Sequence, residues 1–295
     1  MGHTEGKIMT PPILTHAGDR LERYDVIFCD VWGVIHDGMT AYPHACSALT
    51  RFAGQGGTVV LVSNAPVPKE RVAAMLEARA VPASAWHDIV SSGDIALEHV
   101  AKAKFGALHC IGPKDRDSAL FAKLTARQVA LTEADAILCS GLTDDQTETT
   151  EDYRPMLEAA LARQLPFVCA NPDLVVDVGG KHYVCAGAIA DLYQHMGGQV
   201  FWAGKPHPSA YSAALDVAQR LRGEEITPGR ILAIGDALRT DLKAAQGAGV
   251  DALFIAGGIH RHDTMNGDMI DPAKLEALFA GTGVPAMGAM GYLKW

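Results

Sequence analysis

Short apolar runs separated by longer amphipathic stretches organise this chain. Val26–Asp30 is apolar until its last residue, and Gly33 and Gly38 follow at once. The pattern predicts a strand over Tyr24–Asp30 that delivers a carboxylate into a glycine-bearing loop. A helix is predicted over Tyr42–Gln55, with Pro43 in its first turn and Leu49, Phe52 and Ala53 on one side; Gly56-Gly57 ends it. Thr58–Val62 reads as a second strand closed by Ser63-Asn64. Pro68–Arg79 reads as a second helix, its Val72, Met75, Leu76 and Arg79 spaced three and four apart. Strand, helix, strand, helix, with polar residues at the strand ends, is the layout of a doubly wound α/β sheet.

After a pause at Pro82–Trp86 a second α/β series begins. Ile89-Val90 runs into Ser91-Ser92-Gly93, and a helix follows from Asp94 to Lys104. Next come a strand over Ala107–Ile111, a helical stretch over Asp117–Arg127 and a strand over Ala136–Cys139 that ends in Ser140-Gly141. A helix over Tyr153–Arg163 leads to a strand over Pro166–Ala170, closed by Asn171-Pro172-Asp173. Lys181–Cys185 reads as an edge strand. Then the first pattern resumes. Phe201-Trp202 precedes Ala203–Pro208, a helix covers Pro208–Leu221, and the strand Ile231–Ile234 runs into Gly235-Asp236. Thr240–Ala248 is a short helix, Ala252–Ala256 a strand before Gly257-Gly258, and Pro272–Phe279 a final helix. Met1–Asp19 reads as a tail or lead-in helix, and Gly281–Trp295 shows no clear period. The expected organisation is a discontinuous core, residues 20–81 plus 203–295, with an α/β domain inserted at 82–202.

Composition narrows the function. The chain has 295 residues, 48% of them apolar and 20% charged, with 25 basic against 34 acidic side chains and a net charge of −9. There is no basic block, which argues against a nucleic-acid or anionic-membrane surface. The N-terminus MGHTEGKIM has no apolar core of signal length, so a cytoplasmic location is expected. The six cysteines form no CxxC, and Cys29, Cys110, Cys139 and Cys169 sit in apolar surroundings, as small buried hydrophobes in a reducing compartment do.

The chemistry lies at the strand ends. Asp30 and Asp236 both close predicted strands, and Asp241 follows closely. Clustered carboxylates repel unless a cation or proton compensates, and hard oxygen ligands without a Cys/His set suit Mg²⁺. Lys205 adds a positive charge, and Ser63 and nearby amides add donors, which together make a phosphate site. A carboxylate beside it permits phosphoryl transfer through an aspartyl-phosphate.

With the motifs DVWGVIHDG at 30–38, LVSN at 61–64, GKPHP at 204–208 and GDALRTD at 235–241, the chain resembles the haloacid-dehalogenase (HAD) superfamily, subclass IIA. This is the group of nucleotide, sugar, pyridoxal and phosphoglycolate phosphatases, and the resemblance covers about residues 24–262. It implies a Rossmann-like HAD core with an inserted cap of the C2 type. It further implies a Mg²⁺-dependent hydrolase acting on a small phosphorylated metabolite. By this likeness Asp30 is the nucleophile and a metal ligand, and Ser63 and Lys205 hold the transferring phosphoryl group. The backbone carbonyl of Trp32 and the carboxylate of Asp236 complete the metal's ligands, with Asp241 acting directly or through water. Gly33, Asn64, Asn171 and His207 border the phosphate and substrate, together with the Trp32 side chain. The resemblance also implies a homodimer formed through the cap.

One position departs from the family's pattern. Those phosphatases carry a second Asp two residues after the nucleophile, serving as general acid and then base; here that residue is Trp32. Indole transfers no proton at neutral pH. A positioned acid or base contributes typically about 10²–10⁴ in rate, roughly 3–5 kcal/mol of barrier. His36 and Asp37 are the nearby candidates to replace it. A leaving group that needs no acid is a second route, and an aspartyl-phosphate that waits for another acceptor is a third. A rival reading is a binding or regulatory protein that keeps the metal–phosphate site and turns over little. A carbon–halogen hydrolase is disfavoured, since that reaction needs no phosphate-neutralising metal. His260 and His262 form no zinc set, having no third His or Cys near them in sequence.

Overall fold

A computed structural model describes residues 10–178 and 181–295. The chain divides into two compact units, one made of Met1–Leu61, Arg79–Asp88 and Leu215–Trp295, the other of Val62–Ala78 and Ile89–Ala214. Of the expected tail Met1–Asp19, residues 1–9 lie outside the described residues; within the rest of it, Gly18 opens a short helix, Gly18–Leu21.

The first unit is built on parallel strands. In spatial order they are Gly288–Met290, Asp251–Ile255, Ile231–Gly235, Val26–Cys29 and Thr58–Ser63, the last of which runs on into the second unit. The chain enters at Val26–Cys29, moves one way to Thr58–Ser63, and later returns on the other side at Ile231–Gly235. Val26–Cys29 and Ile231–Gly235 are buried throughout, the near-continuous apolar pattern of strands covered on both faces. The order reverses between these two strands, and their carboxyl ends carry Asp30 and Asp236. Such a reversal is where open α/β sheets hold ligands. The helix Pro43–Gly54 buries Ala45, Cys46, Ala48, Leu49 and Phe52, with Pro43 in its first turn as expected.

The second unit holds a five-stranded parallel sheet of its own, in the order Val200–Trp202, Phe167–Cys169, Ala136–Cys139, Ala107–Ile111 and Arg127–Gln128. Ile137, Leu157, Phe167, Ile189 and Tyr193 form the centre of its core. Residues 62–78 and 203–214 group with this unit. The Gly93 amide donates to the Ala65 carbonyl at 3.2 Å, and the Lys69 amide to Asp94 at 2.8 Å.

Several elements differ from expectation. The helix predicted over Asp117–Arg127 stops at Ala122, and Arg127–Gln128 becomes a strand, its Arg127 amide bonded to the Gly106 carbonyl at 2.9 Å. Lys181–Val184 is a strand as expected, and its partner, which the sequence reading did not predict, is the antiparallel strand Val175–Val178. A helix that the sequence reading did not predict covers Ala186–His195. The tail contributes the edge strand Gly288–Met290, and the chain around Ile13 bonds beyond it through Leu14 N–H to Ala289 O at 2.8 Å. Among the described residues no disulfide forms, and five of the six cysteines are buried. No helix among them is long and apolar enough to cross a membrane.

Candidate metal and phosphate site

Three carboxylates meet at the sheet edge of the first unit. Asp30, Asp236 and Asp241 each bring one oxygen within 4.8 Å of the others. Asp30 extends the pairing of its strand, its amide donating to Ile234 O at 2.8 Å, and its Oδ1 accepts the Val31 amide at 2.7 Å. Asp236 is buried, and its Oδ2 accepts the Ile259 amide at 2.7 Å. Asp241, 1% exposed, sits on the short π-helix Leu238–Leu242, where its Oδ2 accepts the Ala237 amide at 3.2 Å.

Glycine makes this packing possible. A Cβ on Gly33 would lie 1.9 Å from Asp236 Oδ2, one on Gly258 2.0 Å from the same oxygen, and one on Gly235 2.2 Å from the Asp241 side chain. Gly33 also has φ +78°, a conformation that favours glycine. Three carboxylates held this close, two of them buried, need a compensating charge. An all-oxygen set of three acids fits a hard divalent cation such as Mg²⁺.

The loop after Asp30 is built around Trp32. Trp32 and His36 form an isolated bridge, and their rings meet edge to face at 5.3 Å. The indole lies over Gly38, where a Cβ would come within 2.4 Å of it. The Gly38 carbonyl accepts two bonds from the Arg79 guanidinium, at 3.0 and 2.7 Å. His36 is buried, and its Nδ1 accepts the Gly38 amide at 2.9 Å. Burial, and then the Arg79 charge, push its pKa down to about 4, so the ring is neutral near pH 7. For Asp37, burial raises the carboxyl, but bonds from the Thr40 and Met39 amides outweigh it and leave the group below its usual range. Its Oδ1 accepts those amides at 2.7 and 2.8 Å. Both candidate replacements for the absent Asp are therefore engaged in holding their own loop.

The other expected residues lie in the second unit. Ser63 Oγ accepts the Ala65 amide at 3.2 Å. Buried Asn64 clamps the segment that carries Lys205: its Oδ1 accepts the Lys205 amide at 2.8 Å, and its Nδ2 donates to Lys205 O at 3.0 Å and to Asp173 Oδ1 at 2.9 Å. Lys205 is itself 2% exposed. Gly204, at φ +140°, leaves room for this clamp, since a Cβ there would lie 2.6 Å from Asn64 Oδ1. Asn171 Oδ1 accepts the Asp173 amide at 3.1 Å. The His207 ring stacks on Trp202 at 5.0 Å. Sequence reasoning missed Asp173 as the partner of Asn64, Arg79 as the clamp on Gly38, and the Gly258-Ile259 turn on Asp236. Only the last left a signal, the Gly257-Gly258 pair at a strand end.

Comparison with known proteins gives the chain's family. A haloacid dehalogenase-like hydrolase family model matches residues 27–127, and a HAD-hydrolase-like model matches residues 202–277. A crystal structure of a haloacid dehalogenase-like family hydrolase from Brucella suis 1330 is 39% identical. It aligns over 96% of this chain and 99% of its own, with a TM-score of 0.82. A possible sugar phosphatase of the HAD superfamily from Cytophaga hutchinsonii shares the fold at 19% identity, with a TM-score of 0.74 over 96% of this chain and 98% of its own. The ribonucleotide monophosphatase NagD of Escherichia coli (strain K12) is 24% identical over 248 residues, 81% of this chain and 90% of that protein. Matched in order at both ends and along nearly its whole length by a 39% identical relative, the chain belongs to the haloacid dehalogenase-like hydrolase family.

Proposed function

We propose that this protein is a Mg²⁺-dependent phosphatase acting on a small phosphorylated metabolite through an aspartyl-phosphate on Asp30. The observation that carries the reading is the cluster of Asp30, Asp236 and Asp241 oxygens within 4.8 Å. The relative described as a ribonucleotide monophosphatase supports phosphatase chemistry on a small phosphorylated substrate. Asp30, Asp236 and the Trp32 carbonyl would hold Mg²⁺, with Asp241 in direct or water-mediated support. Once bound, the ion supplies positive charge against the phosphoryl oxygens.

The remaining work falls to the chain's own residues. The Asp30 carboxylate attacks phosphorus in line, and the bond to the leaving oxygen breaks with its electron pair staying on that oxygen. Ser63 and Lys205 hold the non-bridging oxygens. Water then cleaves the acyl phosphate, restoring Asp30 and releasing phosphate. In this proposal residues 82–202 act as the cap that excludes water during transfer and selects the substrate.

Trp32 decides which substrates suffice. It donates no proton, and His36 and Asp37 are occupied within the loop. The leaving group must therefore be a stable anion, as in an acyl or aryl phosphate. The test is phosphate release with Mg²⁺ across aryl, acyl, sugar and nucleotide phosphates, using the parent, Asp30→Asn and Trp32→Asp. Expected are turnover confined to activated phosphates, its loss in Asp30→Asn, and a wider range in Trp32→Asp. Turnover that survives Asp30→Asn would overturn the mechanism. No turnover on any substrate, with tight Mg²⁺-dependent binding of one, would favour a binding or regulatory protein instead.

A further inference from the structure

We propose that Tyr292, in the stretch after the last helix where the sequence shows no motif, is a positioning residue for the metal ligand Asp236. The inference rests on the Mg²⁺ reading of the carboxylate cluster. It starts from the turn that follows the strand Asp251–Ile255. This turn reaches Asp236 twice: Gly258 packs on the carboxylate, and the Ile259 amide donates to Oδ2 at 2.7 Å. An amide can fix a carboxylate only as firmly as the turn that carries it is fixed.

The C-terminal segment fixes that turn. The Ala256 amide donates to Met290 O at 2.7 Å, and the Gly257 amide to Gly291 O at 2.8 Å. The Tyr292 ring then lies flush on Gly257, where a Cβ would come 2.7 Å from the ring edge and 2.5 Å from the Gly291 carbonyl. Further along the turn, the Arg261 amide donates to Gly258 O at 3.0 Å, while the Arg261 guanidinium donates to the Tyr292 hydroxyl. Tyr292 thus holds the turn before and after the two residues that touch Asp236. The Tyr42 ring meets Tyr292 edge to face at 5.3 Å and braces it from the start of the helix Pro43–Gly54. The same tail is anchored separately, with the Ala17 amide bonded to Lys294 O at 2.9 Å and the Arg51 guanidinium 4.4 Å from the Trp295 ring centroid. That second anchor supplies the control.

Groups that orient metal ligands typically contribute about 10–100-fold to metal affinity. The experiment is direct Mg²⁺ titration by calorimetry on the full chain without substrate, paired with thermal unfolding in chelator. Tyr292→Ala is expected to weaken Mg²⁺ by about tenfold, and Tyr292→Phe, which keeps the ring on Gly257, to stay within about threefold of the parent. Tyr292→Leu, which preserves apolar bulk, is expected to fall between them and serves if the alanine variant does not fold. Trp295→Ala is expected to lower the unfolding temperature and leave Mg²⁺ affinity unchanged. Equal losses of affinity in Tyr292→Ala and Trp295→Ala would overturn the proposal, reducing Tyr292 to general support of the fold. Unchanged affinity in both Tyr292→Ala and Tyr292→Leu would overturn it as well. A parent that binds no Mg²⁺ would instead overturn the metal reading on which it rests.

Discussion

Gly33, Gly38 and Gly258 show how little freedom single residues have around Asp30. Each makes room for one side chain: the carboxylate of Asp236 in two cases, the indole of Trp32 in the third. The same crowding acts on His36. Its Nδ1 already accepts an amide, so the ring is held in the tautomer protonated on Nε2. With its pKa pushed down to about 4, against an ordinary value near 6.5, the folded ring refuses a proton that the unfolded chain accepts. The resulting stability is fully present above pH 6.5 and is lost as the pH falls toward 4. Between pH 7.5 and 5 the expected loss is about 2 kcal/mol. Urea unfolding at the two pH values should show this loss in the parent and a smaller one in His36→Asn, whose amide oxygen can still accept the Gly38 amide. An equal pH dependence in both proteins would place the effect elsewhere.

At the scale of elements, what the sequence showed clearly was what repeats. Val26–Cys29, Thr58–Ser63, Ile231–Gly235 and Pro272–Phe279 formed where apolar period and flanking glycines or proline agreed. The helix Ala186–His195 escaped because it begins Ala-Gly-Ala, with no capping side-chain bond at its start. Gly187 looks like a helix breaker, yet it is what lets that first turn sit on the Pro172 and Asp173 carbonyls, 2.5 Å from where a Cβ would be. Gly288–Met290 is a strand through its neighbours, Asp251–Ile255 and the chain near Ile13, and three residues carry no readable period. For the site, the acids and Lys205 were legible as strand-end and motif residues. Two of the contacts that hold them, the Ile259 amide on Asp236 and the Asn64 side chain on the Lys205 backbone, come from far along the chain, and a sequence does not display those. Asn64 illustrates the difference. Its polar strand-end position was visible, but not that its side chain would serve both the amide and the carbonyl of Lys205. Asn64→Ala leaves those buried groups without these partners and is expected to cost about 2–4 kcal/mol. Denaturant unfolding would measure this, and a loss under 1 kcal/mol would mean the clamp contributes little.

For the whole molecule, the proposed Mg²⁺ site predicts that stability depends on a cation. The net charge is −9, and two buried acids with a third beside them add local repulsion that a bound cation relieves. A ligand that binds only the folded state adds RT ln(1 + [L]/Kd), about 2.7 kcal/mol at one hundred times Kd. Mg²⁺ should therefore raise the unfolding temperature, and a chelator should reverse the rise. Because the acids belong to the first unit, the shift should appear in the transition of that unit when calorimetry resolves two. Asp236→Asn separates this from a general salt effect. The amide oxygen can still accept the Ile259 amide, so the turn survives, while one repelling charge and one hard ligand are lost. In chelator the variant should melt at or above the parent's temperature, because repulsion is relieved. In saturating Mg²⁺ it should melt below the parent, because it gains little from the ion. A change in the order of stability between the two conditions is the signature of a cation held by this cluster. If Asp236→Asn shifted the unfolding temperature equally in both conditions, Mg²⁺ would be acting on the surface charge of the whole chain and not at these three carboxylates.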